Sequence, residues 1–408
     1  MISSDTIIFG ILAGILGVLF FLRERGGVWD RVFTFVPIIL LAYLIPSLLV
    51  SFGVIDASES NLWTIAKDYF LTAALILLTL SIDIKGIIGL GPKALIMFFT
   101  ATIGIVIGGP IALWTVAQFA PEILAGEGAD AAWRGFATLA GSWIGGGANQ
   151  TAMLEVYGYN MEQYGAMVAV DIVVANIWMA FLLYGAGMHE RVDRWLRADN
   201  SSVERLRDSM AAYSEKVAKV ASANEMIVLA GFTFAAVAFS HWSAGWLSLW
   251  FTNMLGAEAV LADRFFWVVV MATTIGLASS FTPARSLEGV GASKIGTVFI
   301  FLLVAVIGTK MDIFQLGDAP LFMAVGLIWM IFHSALLLIV ARIVRAPFFF
   351  VAVGSKANVG GAASAPVVAG AFHPALAPVG VLLAVLGYAL GTYGAILCAE
   401  MMRAVSGG

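Results

Sequence analysis

The chain has little that would keep it in water. Of its 408 residues only 12% are Asp, Glu, Lys or Arg, while 61% are hydrophobic; a soluble domain carries roughly 25% charged residues. A globule of this size would run out of polar residues to cover its surface, so the chain is an integral membrane protein. Cys398 is the lone cysteine, which excludes a disulfide framework, a CxxC redox pair and a cysteine-ligated metal site. No lysine- or arginine-rich block exists and the formal charge is -4, which leaves no footprint for nucleic acid. The short alternating segments of a transmembrane β-barrel are missing. So are an HExxH motif, a paired-acid motif and a histidine beside Ser142 or Ser364, which argues against an enzyme.

What is present is a series of long apolar runs. A spanning helix needs about 20 mostly apolar residues, and such runs occur at 5–22, 33–53, 63–82, 94–119, 133–157, 161–187, 225–246, 265–281, 295–316, 321–343, 348–372 and 378–401. The fold class is an all-α polytopic membrane protein. The first run follows Asp5 with no basic segment before it, and Arg23 and Arg25 come after it, so it reads as an anchor rather than a cleaved signal.

Basic residues prefer cytoplasmic loops. Arg23, Arg25 and Arg31, then Lys85 and Lys93, then Arg285 and Lys294, Arg342 and Arg345, and Arg403 all read as inside. Asp56, Glu59, Glu122, Glu127, Asp130, Glu258 and Asp263 read as outside. One conflict remains in this assignment. Counting crossings from the N-terminus places 188–224 outside, yet its Arg191, Arg194, Arg197, Arg205, Arg207, Lys216 and Lys219 argue for inside. Either 225–262 makes two passes or a re-entrant hairpin, or one early span is misassigned. The 188–224 stretch also holds Glu190, Asp193, Asp199, Glu204, Asp208 and Glu215, and reads as a solvated linker with an interfacial amphipathic helix.

The two halves echo one another. Leu80-Ser81-Ile82-Asp83-Ile84 matches Gly308-Thr309-Lys310-Met311-Asp312-Ile313, and Leu90-Gly91-Pro92-Lys93 matches Leu316-Gly317-Asp318-Ala319-Pro320. Gly141-Ser142-Trp143-Ile144-Gly145-Gly146-Gly147-Ala148-Asn149-Gln150-Thr151 faces Gly354-Ser355-Lys356-Ala357-Asn358-Val359-Gly360-Gly361-Ala362-Ala363-Ser364. Loop charge gives the matched elements opposite directions, so the chain carries an inverted-topology repeat of the kind secondary transporters use. The expected division is a first repeat at 1–187 (panel helices 5–82, core helices 94–187), a charged linker at 188–224, and a second repeat at 225–408 (panel 225–316, core 321–401).

The paired glycine stretches carry the chemistry. Glycine costs roughly 1 kcal/mol in a helix interior, so Gly145, Gly146 and Gly147, and likewise Gly360 and Gly361, mark breaks in the middle of apolar runs. Irregular backbone at membrane depth is tolerated only against protein or a watery cavity. Half-helix ends and unwound carbonyls there bind ions and anionic groups. Ser142, Asn149, Gln150, Thr151, Asn176, Ser355, Asn358 and Ser364 add side-chain oxygens and amides, and Asn149, Gln150, Thr151 and Asn358 are of the kind that ligate Na⁺. The bland alternative, small residues packing helices closely, accounts for the glycines and alanines but not for the amides. No strand precedes these glycines and no Gly-Lys-Ser/Thr follows, so they are not a phosphate cradle.

Asp171 and Lys356 are the ionisable residues within apolar runs beside the breaks. Each would cost roughly 2.5–3.5 kcal/mol at the bilayer centre, so a mutual pair, a cavity, or a titrating or ion-displacing role is expected. Lys356 stands where the other repeat has Trp143. Glu155, Asp83 and Asp312 sit nearer span ends and read as interfacial; His333 reads as a hydrogen-bonded packing residue. Trp63, Trp114, Trp195, Trp242, Trp246 and Trp250 need only the aromatic-belt explanation.

Gly-Ser-Trp-Ile-Gly-Gly-Gly-Ala-Asn-Gln-Thr-Ala at 141–152 and Gly-Ser-Lys-Ala-Asn-Val-Gly-Gly-Ala-Ala-Ser-Ala-Pro at 354–366 resemble the domain-of-unknown-function 819 family of bacterial membrane proteins. More distantly, the layout is similar to the bile acid:sodium and glutamate:sodium symporters. The resemblance implies a panel domain and a core domain with two crossed broken helices, 133–157 and 348–372, moving against each other in alternating access. It also implies a multi-pass protein of the bacterial inner membrane. Lys356 departs from the symporters' sodium-site pattern.

The expected function is ion-coupled secondary transport of a small anionic organic solute, with Na⁺ or H⁺ as partner ion and no cofactor beyond bound Na⁺. A cation/proton antiporter using Asp171 and Lys356 is the alternative, and a receptor or scaffold that transports nothing is a third. The bilayer is the expected environment, and a homodimer is compatible with this architecture.

Overall fold

The structure, a computed structural model, describes residues 1–36, 38–204, 206, 221–256, 260–310, 319–373 and 376–407. Arg205, Arg207, Asp208, Glu215, Lys216, Lys219, Glu258, Asp312 and the 316–318 part of the repeat lie outside the described residues. Among the described residues the chain is helical throughout, with one isolated β-bridge between Ile2 and Ile55.

The helices are α1 (Asp5–Arg25), α2 (Val28–Phe35), α3 (Ile38–Ser51), α4 (Leu62–Leu80, with a π-helical stretch Ala66–Leu71), α5 (Ile84–Gly89), α6 (Pro92–Ala117), α7 (Ala132–Tyr157), α8 (Tyr164–Gly187) and α9 (His189–Leu196). They continue with α10 (Ala223–Leu255), α11 (Arg264–Ser280), α12 (Ala292–Gly308), α13 (Ala319–Val344), α14 (Phe348–Asn358), α15 (Gly361–Phe372) and α16 (Ala377–Val405). Seven are long and apolar enough to cross a bilayer alone: α1, α4, α6, α8, α10, α13 and α16. α3 and α12 are shorter apolar helices, and α11 bends by 98° into Pro283–Val290. The polytopic, all-α class read from composition is the observed one.

α10 removes one of the two explanations for the topological conflict. It is a single helix, opened by a capping box in which Ser222 and Glu225 bond each other's backbone and side chain. Residues 223–255 therefore make one pass.

The other explanation holds, and it corrects the expected fold. α7 does not cross. At Gly146 the backbone adopts φ 74°, ψ -169°, and the helix turns back on itself. The Arg134 guanidinium donates to the Tyr157 carbonyl, and the Trp133 and Tyr157 rings meet edge-on at 5.4 Å. A Cβ on Gly141 would stand 2.5 Å from the Asn149 carbonyl oxygen. Both ends of α7 thus lie at the end of the bundle that holds Ala129 and Asp130, to which Asn160 is bonded at 3.0 and 2.7 Å. The arms 132–145 and 147–157 are about 21 and 17 Å long at 1.5 Å per residue, too short to span about 30 Å of hydrocarbon.

α14 and α15 form the counterpart. They are separated at Val359–Gly360, and their outer ends close on one another, Phe372 lying 6.1 Å from Phe348 and 5.3 Å from Phe349. This second hairpin enters from the opposite end. Phe348 N–H donates to Asp193 at 2.7 Å, Asp199 N–H donates to Arg345 O at 3.1 Å, and Lys93 reaches Asp199 at 3.0 Å. The segments read as two crossed broken spans are therefore two re-entrant hairpins.

This resolves the conflict. With α7 returning to its own side, α8 ends beside Lys93 and Arg345, so 188–204 falls at the basic end as its arginines require. Arg403 is corrected in turn: it stacks over Trp133 at 5.9 Å, and Glu400 accepts from Tyr157 at 3.0 Å, which puts the end of α16 at the opposite face. The triads α6–α7–α8 and α13–(α14, α15)–α16 traverse the bundle in opposite directions.

Candidate functional site at the hairpin tips

Both tips rest on the middle of α16. A Cβ on Gly146 would lie 3.5 Å from Tyr388 Cε1, and one on Gly361 3.7 Å from the same atom. One step back, a Cβ on Gly387 would stand 2.8 Å from Ile144 O and 3.3 Å from Ala357 O, and one on Gly391 2.6 Å from Gly145 Cα. The missing side chains on α16 let both turns reach it, as small residues do wherever membrane helices approach closely.

The side chains at the tips fall into two groups. The first is structural. Asn149 Nδ2 donates to Gly145 O at 3.0 Å and Tyr388 O at 3.1 Å, while its Oδ1 accepts from Thr392 at 2.6 Å. Asn358 Nδ2 donates to Gly354 O at 2.9 Å and its Oδ1 accepts from Thr102 at 2.8 Å. Each amide bonds a carbonyl four residues before it and is pinned from a neighbouring helix. Thr151 bonds Gly147 O at 3.0 Å within its own arm. The oxygens read as Na⁺ ligands thus face different partners: Asn149 faces α16, Asn358 faces α6. Nor are the two asparagines equivalent by position. Asn358 ends its first arm, whereas Asn149 lies beyond its turn.

The second group surrounds α8. Asp171 accepts from Ser142 at 2.6 Å and from Trp143 Nε1 at 2.8 Å. Lys356, 2% exposed, donates to Ala175 O at 3.1 Å. Trp143 and Lys356, matched in the repeat, therefore converge on the same turns of α8. Asp171 and Lys356 act on one another's charge, yet among the described residues they close no ion pair. Gln150 is 2% exposed and leans toward Asp171, and its Nε2 has no hydrogen-bond partner. Ser364 Oγ is likewise buried without one. Gly360 is exposed although every residue from Phe348 to Asn358 is buried; a Cβ there would overlap Ser364 Oγ and come within 3.0–3.1 Å of Lys356 Cε and Nζ. Buried polar groups are normally satisfied, so the unpartnered Ser364 hydroxyl and the Lys356 ammonium beside an open glycine mark a place for an acceptor.

Asn176 is not brought to this cluster. It lies on the exposed face of α8 with Val173, Ile177 and Phe181, and its amide donates to Ile172 O at 2.8 Å.

The structure also makes a pairing that sequence spacing does not show. His333, buried as a packing residue, bonds Ala101 O at 3.1 Å through Nδ1 and Ser355 Oγ at 2.8 Å through Nε2. Trp178 Nε1 donates to the same hydroxyl at 2.8 Å. Ser355 and His333 are both fully buried, so the dyad braces the first arm of the second hairpin rather than facing a substrate. Tyr388, Thr102 and Thr392 likewise had no mark in the sequence beyond the glycines flanking Tyr388.

Among proteins of known sequence, the family model described as a protein of unknown function, DUF819, matches residues 10–405. The uncharacterized membrane protein YjcL of Bacillus subtilis (strain 168) is 26% identical over 354 residues, 82% of either chain.

Proposed function

We propose, for a chain that belongs to the DUF819 family, that it is a secondary transporter moving a small carboxylate-bearing solute by alternating access, driven by a cation gradient. One observation carries this reading. Two re-entrant hairpins enter from opposite ends and bring their tips together on Tyr388, beside buried donors with no partner in the protein. Irregular backbone at membrane depth is stable only where protein or a wet cavity satisfies it, and two inverted tips give each face of the membrane its own gate to a common site.

The unmet atoms are the Gln150 amide, the Ser364 hydroxyl and the remaining protons of Lys356, which favour an acceptor. The same Lys356 ammonium disfavours the cation/proton antiporter, because it would repel a bare cation held at Asp171. The basic end, with Lys93, Arg342, Arg345 and the α9 arginines, is assigned to the cytoplasm, and the bacterial inner membrane is the matching location. The coupling ion is Na⁺ or H⁺. We assign no enzymatic role.

The test is uptake of radiolabelled organic and amino acids into proteoliposomes under an inward Na⁺ gradient, an inward H⁺ gradient, or neither. Accumulation should require one gradient and vanish in Lys356→Met. Accumulation indifferent to both gradients, or unchanged in Lys356→Met, overturns the reading.

A further inference from the structure

The donors at the tips have an acceptor counterpart, Asp171, one turn along α8 from Ala175, whose carbonyl Lys356 bonds. Asp171 presents two carboxylate oxygens, each holding one hydrogen bond, from Trp143 and Ser142. Ser142 has given its only hydrogen to Asp171, so its oxygen offers lone pairs alone. The opposite side holds Lys356 and Ser364, while the Gln150 amide lies on the Asp171 side. A buried ammonium and a buried carboxylate within range of each other ordinarily collapse into an ion pair, because a charge left unpaired in a dry interior is unstable. Here Lys356 is turned instead to a backbone carbonyl and Asp171 to two neutral donors. The bare Gly360 keeps open the space beside Lys356 Nζ and Ser364 Oγ.

We propose that the solute carries a protonated amine as well as a carboxylate, a zwitterion of the amino-acid type. This rests on the hairpin tips being the solute site. Its carboxylate meets Lys356 and Ser364, and its ammonium meets Asp171 and the Ser142 oxygen. A monoanion would neutralise Lys356 but lie beside the Asp171 charge; a monocation would neutralise Asp171 and leave Lys356 repelling it. Only a molecule with both ends completes both halves, and the filled site then has no net charge.

The experiment is a thermal-shift and equilibrium-binding screen of the full-length protein in detergent. The twenty standard L-amino acids are the probes, and each binder is compared with its decarboxylated amine and its 2-hydroxy acid. We expect at least one amino acid to bind, with both analogues weaker by roughly a hundredfold or more, since a site built for a polar group rejects the analogue lacking it. In Asp171→Asn the order should invert, the 2-hydroxy acid binding at least as well as the amino acid, which also shows that the variant is folded. Absence of binding by every amino acid, or equal binding of amino acid and 2-hydroxy acid to the unaltered protein, overturns the proposal. If the 2-hydroxy acid binds alone and Ser364→Ala abolishes it, the amine falls while the tip site stands. Amino-acid binding that Ser364→Ala leaves unchanged removes the tip site itself.

Discussion

Adding one methyl group at Gly360 separates the volume of the site from the strain of the turn. The residue has φ 121°, a conformation that costs a non-glycine residue about 1–3 kcal/mol. Its new Cβ would overlap Ser364 Oγ and press on Lys356 Cε and Nζ at 3.0 and 3.1 Å. Turning those side chains off their rotamers costs about 0.5–1.5 kcal/mol each, so Gly360→Ala should destabilise by about 2–6 kcal/mol and move both the Ser364 and Lys356 donors. Gly361→Ala is the control. Its φ is 59°, where alanine costs about 1–2 kcal/mol, and its Cβ would find only Tyr388 at 3.7 and 3.8 Å. Unfolding temperature in detergent should fall in both variants. Solute affinity, read by the ligand-induced rise in that temperature, should fall at least about tenfold in Gly360→Ala, equivalent to 1.4 kcal/mol, and stay near its original value in Gly361→Ala. Equal affinity in the two variants would refute the placement of the solute between Lys356 and Ser364.

The re-entrant topology predicts that single cysteines replacing Glu127 and Glu162 are labelled from the same side of the membrane and one replacing Asn200 from the other; labelling of Glu162→Cys from the Asn200 side would restore a spanning α7. Asn149→Ala removes three hydrogen bonds, and at about 0.6 kcal/mol for each in a membrane the loss should be about 2 kcal/mol in an unfolding titration; a variant as stable as the parent sinks the pinning role. Asn176→Leu, on the exposed face of α8, should leave solute affinity unchanged, and a tenfold loss would place it in the site after all. Hydrogen bonds from Lys93 and Ser201 hold the Asp199 carboxyl at about 2, below its usual 3.8. A depressed carboxyl stabilises the fold above its unfolded value and loses that contribution as pH falls through the folded one. The gap in unfolding temperature between the parent and Asp199→Asn should thus be constant above about pH 5 and shrink toward pH 2, and a gap that widens on acidification would contradict the Lys93 contact.

The all-α class, the positions of both glycine breaks and the opposed directions of the two halves are legible in the sequence because each depends on composition or on local conformation. Whether a break bends a span or reverses it does not. A 26-residue α7 is about 39 Å long if straight, long enough to cross, and its hydropathy is the same whether it is folded at Gly146 or not. The reversal is decided by contacts between residues far apart in the chain, such as Trp133 with Tyr157 and Arg403. It did leave one trace: the arginines of 188–204 demanded the side that an extra crossing denied them, and the parity conflict was the record of a segment that returns. At the site, Asp171 and Lys356 stand out by charge alone. The division of the amides into pinned ones (Asn149, Asn358) and an open one (Gln150) depends on Thr102, Thr392 and Tyr388, whose neighbourhood only the fold creates.

α16 explains why two hairpins of unequal sequence can share one site. It carries Gly380, Gly387, Gly391 and Gly394, and a Cβ on any of them would press on a hairpin: on Ala365 at 2.5 Å, on Ile144 O at 2.8 Å, on Gly145 Cα at 2.6 Å and on Ile144 Cδ1 at 3.0 Å. Backbone packed on backbone has no long side chains to rearrange, so the inner face of α16 holds both tips as one rigid unit. Its other face is different. There Thr392 meets Thr273 of α11 at 3.1 Å and Tyr393 meets Thr274 at 2.7 Å, and beside it Lys67 of α4 reaches Glu155 of the first hairpin at 2.8 Å. These are a few polar contacts, each worth little against competing partners. Close backbone packing on one face and sparse hydrogen bonds on the other make α16 the boundary along which, in the alternating access proposed above, the hairpins and their site move together against α4 and α11. Bulky substitution at Gly387 or Gly391 therefore unseats the tips, whereas Thr273→Val loosens the boundary and leaves the tips in place.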